Sequence, residues 1–450
     1  MKGKLGYSLL AAALAANLAI GARTYLRSAE AEDRAEAYRN LRLFALVLER
    51  VRQDYVEGEK LSYKELIYSA LRGMLDALDP HSEFMDPEKF QTLKSDTEGE
   101  FGGIGIQIGL RNDRLTVIAP IEGTPASRAG VLSGDQIIKI EDRSTMGMGL
   151  EDAVKLLRGK PGTKVKVTFF RPSTGEIKET VMTRAVIQVD TVKDIRNGED
   201  FPLGPDKIGY IRLVQFGERT VDELDAALDK LLKQGMKGLI LDLRDDPGGL
   251  LDAAAGVCSR FLPAGSVVVS TEGRDPSMRR EYRVSNLGKH LSLPMVALVN
   301  GGSASASEIV AGCLQDHHRA VLIGERTFGK GSVQSVIPLQ DGAALRLTTA
   351  RYYTPNHRMI HEKGITPDIV IPMSPDELEA IALKRVPGAL ETLPPARRAR
   401  LEKLRDRQLE RARDTLRGVL ILSARKALEA KPGASSVRRL AAAREPAATR

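Results

Sequence analysis

The chain has 450 residues, 42% hydrophobic and 28% charged, an ordinary globular composition in a chain long enough for two or three folded units. Its 67 basic and 59 acidic residues leave a net charge of +8, too mild for its length to mark a nucleic-acid partner. Two cysteines, Cys258 and Cys313, exclude a disulfide framework, and the absence of an H-E-x-x-H or Cys/His cluster gives no reason to expect a metal or other cofactor.

Met1–Lys4 is basic and Leu5–Ala22 is mostly apolar. Residues 1–28 therefore read as a signal peptide or an uncleaved membrane anchor, which places the bulk of the protein outside the cytoplasm, in the periplasm or cell envelope. Residues 29–96 read as a helical region. Leu43, Leu46, Val47 and Val51 repeat at helical spacing, and Ser62-x-x-Glu65 is the capping box of a second helix, which stops at the Leu78–Phe84 segment containing Pro80. His81 in that segment reads as a turn residue.

Residues 97–186 carry an ordered series of motifs. Phe101-Gly102-Gly103-Ile104-Gly105-Ile106 is a glycine-rich loop that can aim successive backbone N–H groups at one anion. Arg114–Ile118 alternates as a strand, Leu150–Leu157 is a helix, and Lys164–Phe170 is a closing strand. With Pro125–Gly130 and Gly134–Ile138 between them, these segments resemble a PDZ domain. The resemblance implies a peptide-binding edge at Gly103, Ile104, Gly105 and Ile106, taking C-terminal tails with an apolar last side chain. Arg158, at the end of the second helix, reads as a solvated helix-end arginine; the family resemblance named below offers the alternative of coupling between the peptide groove and the active site.

Residues 187–372 alternate strands and helices, the pattern of an α/β domain. Ile208–Phe216 reads as a strand, Thr220-x-x-Glu223 as a cap for the helix that Gly235 ends, and Gly238–Leu243 as a buried strand running into Asp246-Pro247-Gly248-Gly249. Another buried strand, Met295–Val299, leads through Asn300-Gly301-Gly302 into Ser303–Glu308 and an apolar helix. Ser305 and Glu308 have capping-box spacing, so the Ser305 hydroxyl belongs at a helix N-terminus, where orphan N–H groups suit a nucleophile that develops an oxyanion. Lys330, between Gly329 and Gly331, can serve as a neutral base if burial lowers its pKa. By residue types alone, a capping serine and a surface lysine fit the pattern equally well.

The wording of the stretch decides between them. GSASASEIVAG, LQD and RAVLIGERTFGKGSVQ, within Gly302–Gln334, together resemble the C-terminal processing peptidases, also called tail-specific proteases. That resemblance runs from about Leu43 to Pro372 and also covers LDPHS and the terminal GITPDIVIP. It implies an α/β (α+β) multi-domain chain: a crotonase-like, ClpP-like peptidase core, an inserted PDZ domain, and helical N- and C-terminal regions. It implies Ser305 as nucleophile, Lys330 as general base, and Gln334, one helical turn further on, as the residue that orients Lys330. An oxyanion hole would come from Gly248 or Gly249 with Ala306, and Asp316 would support the site. The family usually has asparagine where this chain has Asp246, which leaves open what that side chain does.

His317 and His318 follow Asp316 at a helix end, where imidazole is favourable without catalysis. Gly324–Gly331 misses a P-loop, because Gly331 stands where Ser or Thr must hold Mg²⁺. A trypsin-like protease would carry its PDZ domain after the catalytic domain. A non-catalytic PDZ scaffold on a dead protease fold is the alternative function, disfavoured because serine, lysine and glutamine are all present. Residues 373–450 read as a basic helical region with a frayed end, a solvated helix. Protein substrates, an activator or adaptor protein, a membrane anchor and a second copy of the chain complete the expected partners.

Overall fold

The computed structural model describes residues 35–429, apart from 58–60, 112–113, 122, 133, 173, 286–291, 386–389 and 391–392. The segment expected to direct export, 1–28, lies outside the described residues, as does the end of the basic tail. Among the described residues no helix is long and apolar enough to cross a membrane.

The chain divides between Phe84 and Met85 into two compact units. In the first, one helix covers 35–54 and another Tyr63–Asp76. Ser62 and Glu65 close the expected capping box: the Ser62 hydroxyl accepts the Glu65 N–H at 3.1 Å, and the Glu65 carboxylate accepts the Ser62 N–H at 3.0 Å. The Asp79 carboxylate accepts the N–H groups of His81 and Ser82, so His81 is indeed a turn residue. The stripe Leu43, Leu46, Val47 and Val51 is helical but exposed.

In the second unit, an antiparallel sheet runs in the order Ile106–Arg111, Arg114–Pro120, Gln136–Ile140, Lys164–Arg171, Glu176–Thr183, with Arg143–Ser144 paired to Gln136–Ile140. Ile106–Arg111 is an edge strand, and helix Leu150–Leu157 buries Ala153 and Leu157 in the same core as Leu115, Val117, Ile140 and Val167.

The larger part of the unit is a sheet in the order Val192–Lys193, Ile208–Leu213, Gly238–Asp242, Met295–Val299, Val321–Gly324, Ile369–Val370, all parallel after the first, antiparallel pair. Its central strands are unbroken apolar runs because both faces are covered. Leu239, Leu241, Ala297 and Val299 face helices Thr220–Lys233, Leu251–Ser259 and Ala306–Asp316. The alternate residues Ile240, Val296 and Leu298 face Ala412 and Leu416 of helix Arg407–Glu429. A second antiparallel sheet contains Ser332–Pro338, Ala344–Tyr353, Val267–Gly273 and Arg280–Arg283 in that order.

Two expectations change here. The C-terminal helix is not solvated: Gln408, Ala412 and Leu416 are buried, and Asp406 pairs with buried Arg244 at 2.8 Å. A stripe of small and apolar residues among many arginines is enough to cover a sheet face. The Thr220–Glu223 pair is not a capping box either. Arg219 is the N-cap, the Thr220 hydroxyl accepts the Gly217 N–H, and Glu223 instead accepts from the N–H and hydroxyl of Thr191, fastening the edge strand to the helix.

Candidate active site

Strand Met295–Val299 ends in a five-residue turn, and Ser305 is the N-cap of helix Ala306–Asp316. Ser305 has φ 54° and ψ −112°, backbone that a side-chain-bearing residue adopts only when its surroundings impose it. The surroundings are a second loop, 244–249, at the C-terminal end of the neighbouring strand. Asn300 Oδ1 accepts the Asp245 N–H at 2.9 Å, and Asn300 Nδ2 donates to Asp245 Oδ1 at 2.8 Å. The Ser303 hydroxyl donates to the Leu243 carbonyl at 2.7 Å. The Ala304 N–H and the Ser307 hydroxyl both donate to the Asp246 carbonyl, at 3.0 and 2.9 Å. The two loops form one hydrogen-bonded body at the carboxyl ends of parallel strands, where open α/β sheets bind ligands.

Gly248 packs against the Ser305 turn. A Cβ there would lie 2.6 Å from the Ala304 carbonyl oxygen and 2.8 Å from the Ala306 nitrogen, and its φ is 96°, so glycine is required twice over. The Gly248 N–H donates to Asp246 Oδ1 at 2.8 Å. The N–H groups of Gly249 and Ala306 donate to no acceptor among the described residues.

Lys330 reaches the same place from the segment between strands Val321–Gly324 and Ser332–Pro338. Buried Glu308 joins the two. Its Oε2 accepts the Ser305 N–H at 2.9 Å and the Lys330 N–H at 2.8 Å; its Oε1 accepts the Thr327 hydroxyl at 2.5 Å and the Gly329 N–H at 2.7 Å. Burial nevertheless raises the Glu308 pKa above the usual carboxylate value. The Phe328 N–H donates to the Ser303 carbonyl and closes the arrangement. The Lys330 side chain is half-buried and among the described residues makes no ion pair with a carboxylate. Burial lowers its pKa, and the field of Arg346 lowers it further. A lysine in this setting gives up its proton more readily than one in water.

Ser305, Lys330, Gln334, Gly248 and Gly249 all line one cleft of about 680 Å³, together with Phe90, Leu93, Tyr282, Val333, Arg346 and Tyr352. Gln334 lies on a strand, not on a helical turn. Its Nε2 donates to the hydroxyls of Ser332 at 3.1 Å and Thr348 at 2.9 Å, while its buried Oε1 has no hydrogen-bond partner among the described residues. Asp316 is elsewhere. It sits at the other end of the helix from Ser305, pairs with Arg358, accepts the Asn356 N–H at 2.9 Å, and lines a separate cavity. His317 and His318 are at that far end too, about 18 Å or more along the helix from Ser305.

A second groove, of about 390 Å³, lies in the antiparallel-sheet region. Gly103, Ile104, Gly105 and Ile106 form one wall, and Leu150, Val154 and Leu157 form the other. The carbonyls of Ile104 and Gly105 accept the N–H groups of Ala126 and Ile121, which ties the loop down. Gly105 has φ 75°, and a Cβ there would lie 2.3 Å from the Thr124 side chain. The Arg158 guanidinium stacks 4.3 Å over the Phe101 ring at the rim, so it is not simply solvated.

Sequence reasoning missed the reach of Glu308, which it read only as a cap; nothing in S-x-x-E spacing signals a carboxylate that also binds a residue 22 positions downstream. It also missed Asn300, Ser303 and Arg346, whose roles depend on which loops become neighbours.

Residues 116–171 match the PDZ domain and residues 207–371 match peptidase family S41. The chain is similar to the carboxy-terminal-processing protease of Bartonella bacilliformis, 44% identical over 351 residues, covering 77% of this chain and 78% of that one. It is similar to the carboxyl-terminal-processing protease of a Picosynechococcus species, 40% identical over 332 residues, covering 72% and 77%. Among solved structures, the photosystem II D1 C-terminal processing protease is 30% identical with a TM-score of 0.43, covering 77% of this chain and 97% of that one. A PDZ domain ahead of an S41 core, at this identity and coverage, means that the chain belongs to the carboxy-terminal-processing serine proteases of peptidase family S41.

Proposed function

We propose that the protein is an endopeptidase of the cell envelope that holds the C-terminal tail of a protein substrate in its PDZ groove and cuts the chain with a Ser305–Lys330 dyad. The observation that carries this reading is the single cleft lined by Ser305, Lys330 and the Gly248–Gly249 turn, with Glu308 bonded to the backbone of both dyad members. Neutral Lys330 takes the proton of the Ser305 hydroxyl as it attacks the peptide carbonyl, then returns it to the leaving amine. Water, activated by the same lysine, releases the acyl group. The oxyanion is received by the N–H groups of Ala306 and Gly249, which have no acceptor among the described residues. Gln334 Oε1, without a hydrogen-bond partner among the described residues and on the same cleft, accepts from the lysine ammonium and holds it toward Ser305. Export rests on the basic Met1–Lys4 followed by apolar Leu5–Ala22.

The edge strand Ile106–Arg111 and the glycine loop before it suit an extended tail added to the sheet with its carboxylate on the loop. The test is cleavage of an unstructured protein ending in an apolar residue. The reading expects cleavage by the unaltered protein, none by Ser305→Ala, and about tenfold slower cleavage when the tail is amidated or acidic. Equal cleavage by Ser305→Ala would overturn it.

A further inference from the structure

We propose that Asp246 is a positioning residue for the oxyanion-binding turn and that it does this work as the neutral acid, so that the site is impaired when Asp246 ionises. The inference rests on the protease reading above and adds a side chain to it. Asp246 is fully buried. Its Oδ1 accepts the Gly248 N–H at 2.8 Å, which sets the orientation of the peptide leading to Gly249, while its Oδ2 is buried with no hydrogen-bond partner among the described residues. No cation among the described residues forms an ion pair with it. A buried carboxylate with one oxygen unpartnered and no counter-charge is much costlier than the protonated acid, whose Oδ1 accepts the same N–H.

The charges around Asp246 leave that balance standing. Arg212, from strand Ile208–Leu213, acts on it only through its field. Asp245 is bonded to Asn300 and Glu308 has its oxygens committed to four donors, so neither brings a positive charge to Asp246. Lys330 stands on the cleft wall with its own pKa lowered. The Ala304 N–H and the Ser307 hydroxyl donate to the Asp246 main-chain carbonyl, and the Ser307 hydroxyl also acts on the carboxyl, favouring its charged form. Burial pushes the acid up to about 7, with the Gly248 N–H, the Ser307 hydroxyl and Arg212 pulling only partly the other way. Ionisation places a negative charge behind a turn that packs against Ser305 and Ala306, where it opposes the charge that the transition state develops.

The experiment compares unaltered protein, Asp246→Asn and Asp246→Ala from pH 5 to 9, by single-turnover cleavage and by thermal melting. Asparagine keeps the oxygen acceptor and cannot ionise. The ratio of the Asn variant's rate to the unaltered rate is expected to be flat below about pH 7 and to rise above it, by up to about tenfold per pH unit; the pH dependence of Lys330 cancels in this ratio. Asp246→Ala is expected to be slower than Asp246→Asn at every pH. For melting, the folded pKa lies above the unfolded value near 4, so the stability of the Asn variant over the unaltered protein should grow from about pH 4 to 7 and level off above. A pH-independent rate ratio, or an Ala variant equal to the Asn variant, overturns the positioning role. If the unaltered protein does not cleave at all, the protease reading falls, and the melting comparison still decides the proton: a difference that does not vary with pH refutes a neutral Asp246.

Discussion

Ser305 and Lys330 donate their backbone N–H groups to the same oxygen, Oε2 of Glu308, at 2.9 and 2.8 Å. A buried carboxylate that accepts four donors ties together the two loops that follow the paired strands Met295–Val299 and Val321–Gly324, adding to the direct Phe328 N–H bond to the Ser303 carbonyl. Replacing Glu308 by Gln puts an NH₂ group where at least one pair of donors needs an acceptor. Glu308→Gln is expected to lose about 1–3 kcal/mol of stability and at least about tenfold in kcat, with KM for the substrate tail little changed. Melting and steady-state kinetics on one preparation check both; loss of stability with full kcat would mean that Glu308 braces the fold but not the dyad.

Lys330 is acidified first by burial and then by Arg346. A base works when deprotonated, so the acid limb of kcat/KM should lie below the ordinary lysine range, which centres near 10.4. Arg346→Leu removes a like charge and lets the lysine pKa rise. The acid limb should then move to higher pH and the rate at neutral pH should fall. An unmoved limb would show that another group titrates there.

The C-terminal segment lies beyond the S41 match yet completes the fold of the core. Arg244 is buried between Asp242 at 2.7 Å and Asp406 at 2.8 Å, and also donates to Gln408. Burial alone would raise the Asp242 pKa; the Arg244 guanidinium outweighs it and holds that carboxyl well below the usual range. Arg244→Met should therefore cost about 3–5 kcal/mol, since it leaves buried carboxylates short of a partner. The Asp242 contribution is present above the ordinary carboxylate pKa and is lost as pH falls through the lowered one, so the unaltered protein should lose its advantage in strong acid. Melting across pH checks the size and the sign.

Val154 lines the PDZ groove opposite the glycine loop. Val154→Glu places a charge against an apolar tail and should weaken binding of a free-carboxylate peptide about tenfold or more, read by fluorescence anisotropy. An amidated peptide should bind weakly to both forms. Unchanged affinity in the variant would move the tail out of this groove.

The strands of the core were legible because both-face burial leaves nearly continuous short runs such as Gly238–Leu243 and Met295–Val299, bounded by turn signals, as in a covered parallel sheet. The members of the cleft came from the family resemblance of their local wording. What stayed hidden depends on distant pairing. Gln334 sits four residues after Lys330, a helical interval that lies on a strand, because strand Ala344–Tyr353, with which it pairs, is supplied by the following segment. The C-terminal helix looked solvated because its arginines outnumber the few apolar residues, Ala412 and Leu416, that touch the sheet. Glu223 and Thr220 have the spacing of a cap, yet Thr191, outside the helix, takes the carboxylate.

The dyad itself is tested most directly by reacting the protein with a fluorophosphonate and locating the adduct by mass spectrometry in the unaltered protein, Ser305→Ala and Lys330→Ala. The account predicts an adduct on Ser305, none in Ser305→Ala, and labelling slowed about a hundredfold or more in Lys330→Ala, in line with the 10²–10⁴-fold contribution of a general base. An adduct on another residue, or labelling of Lys330→Ala at the unaltered rate, would contradict it.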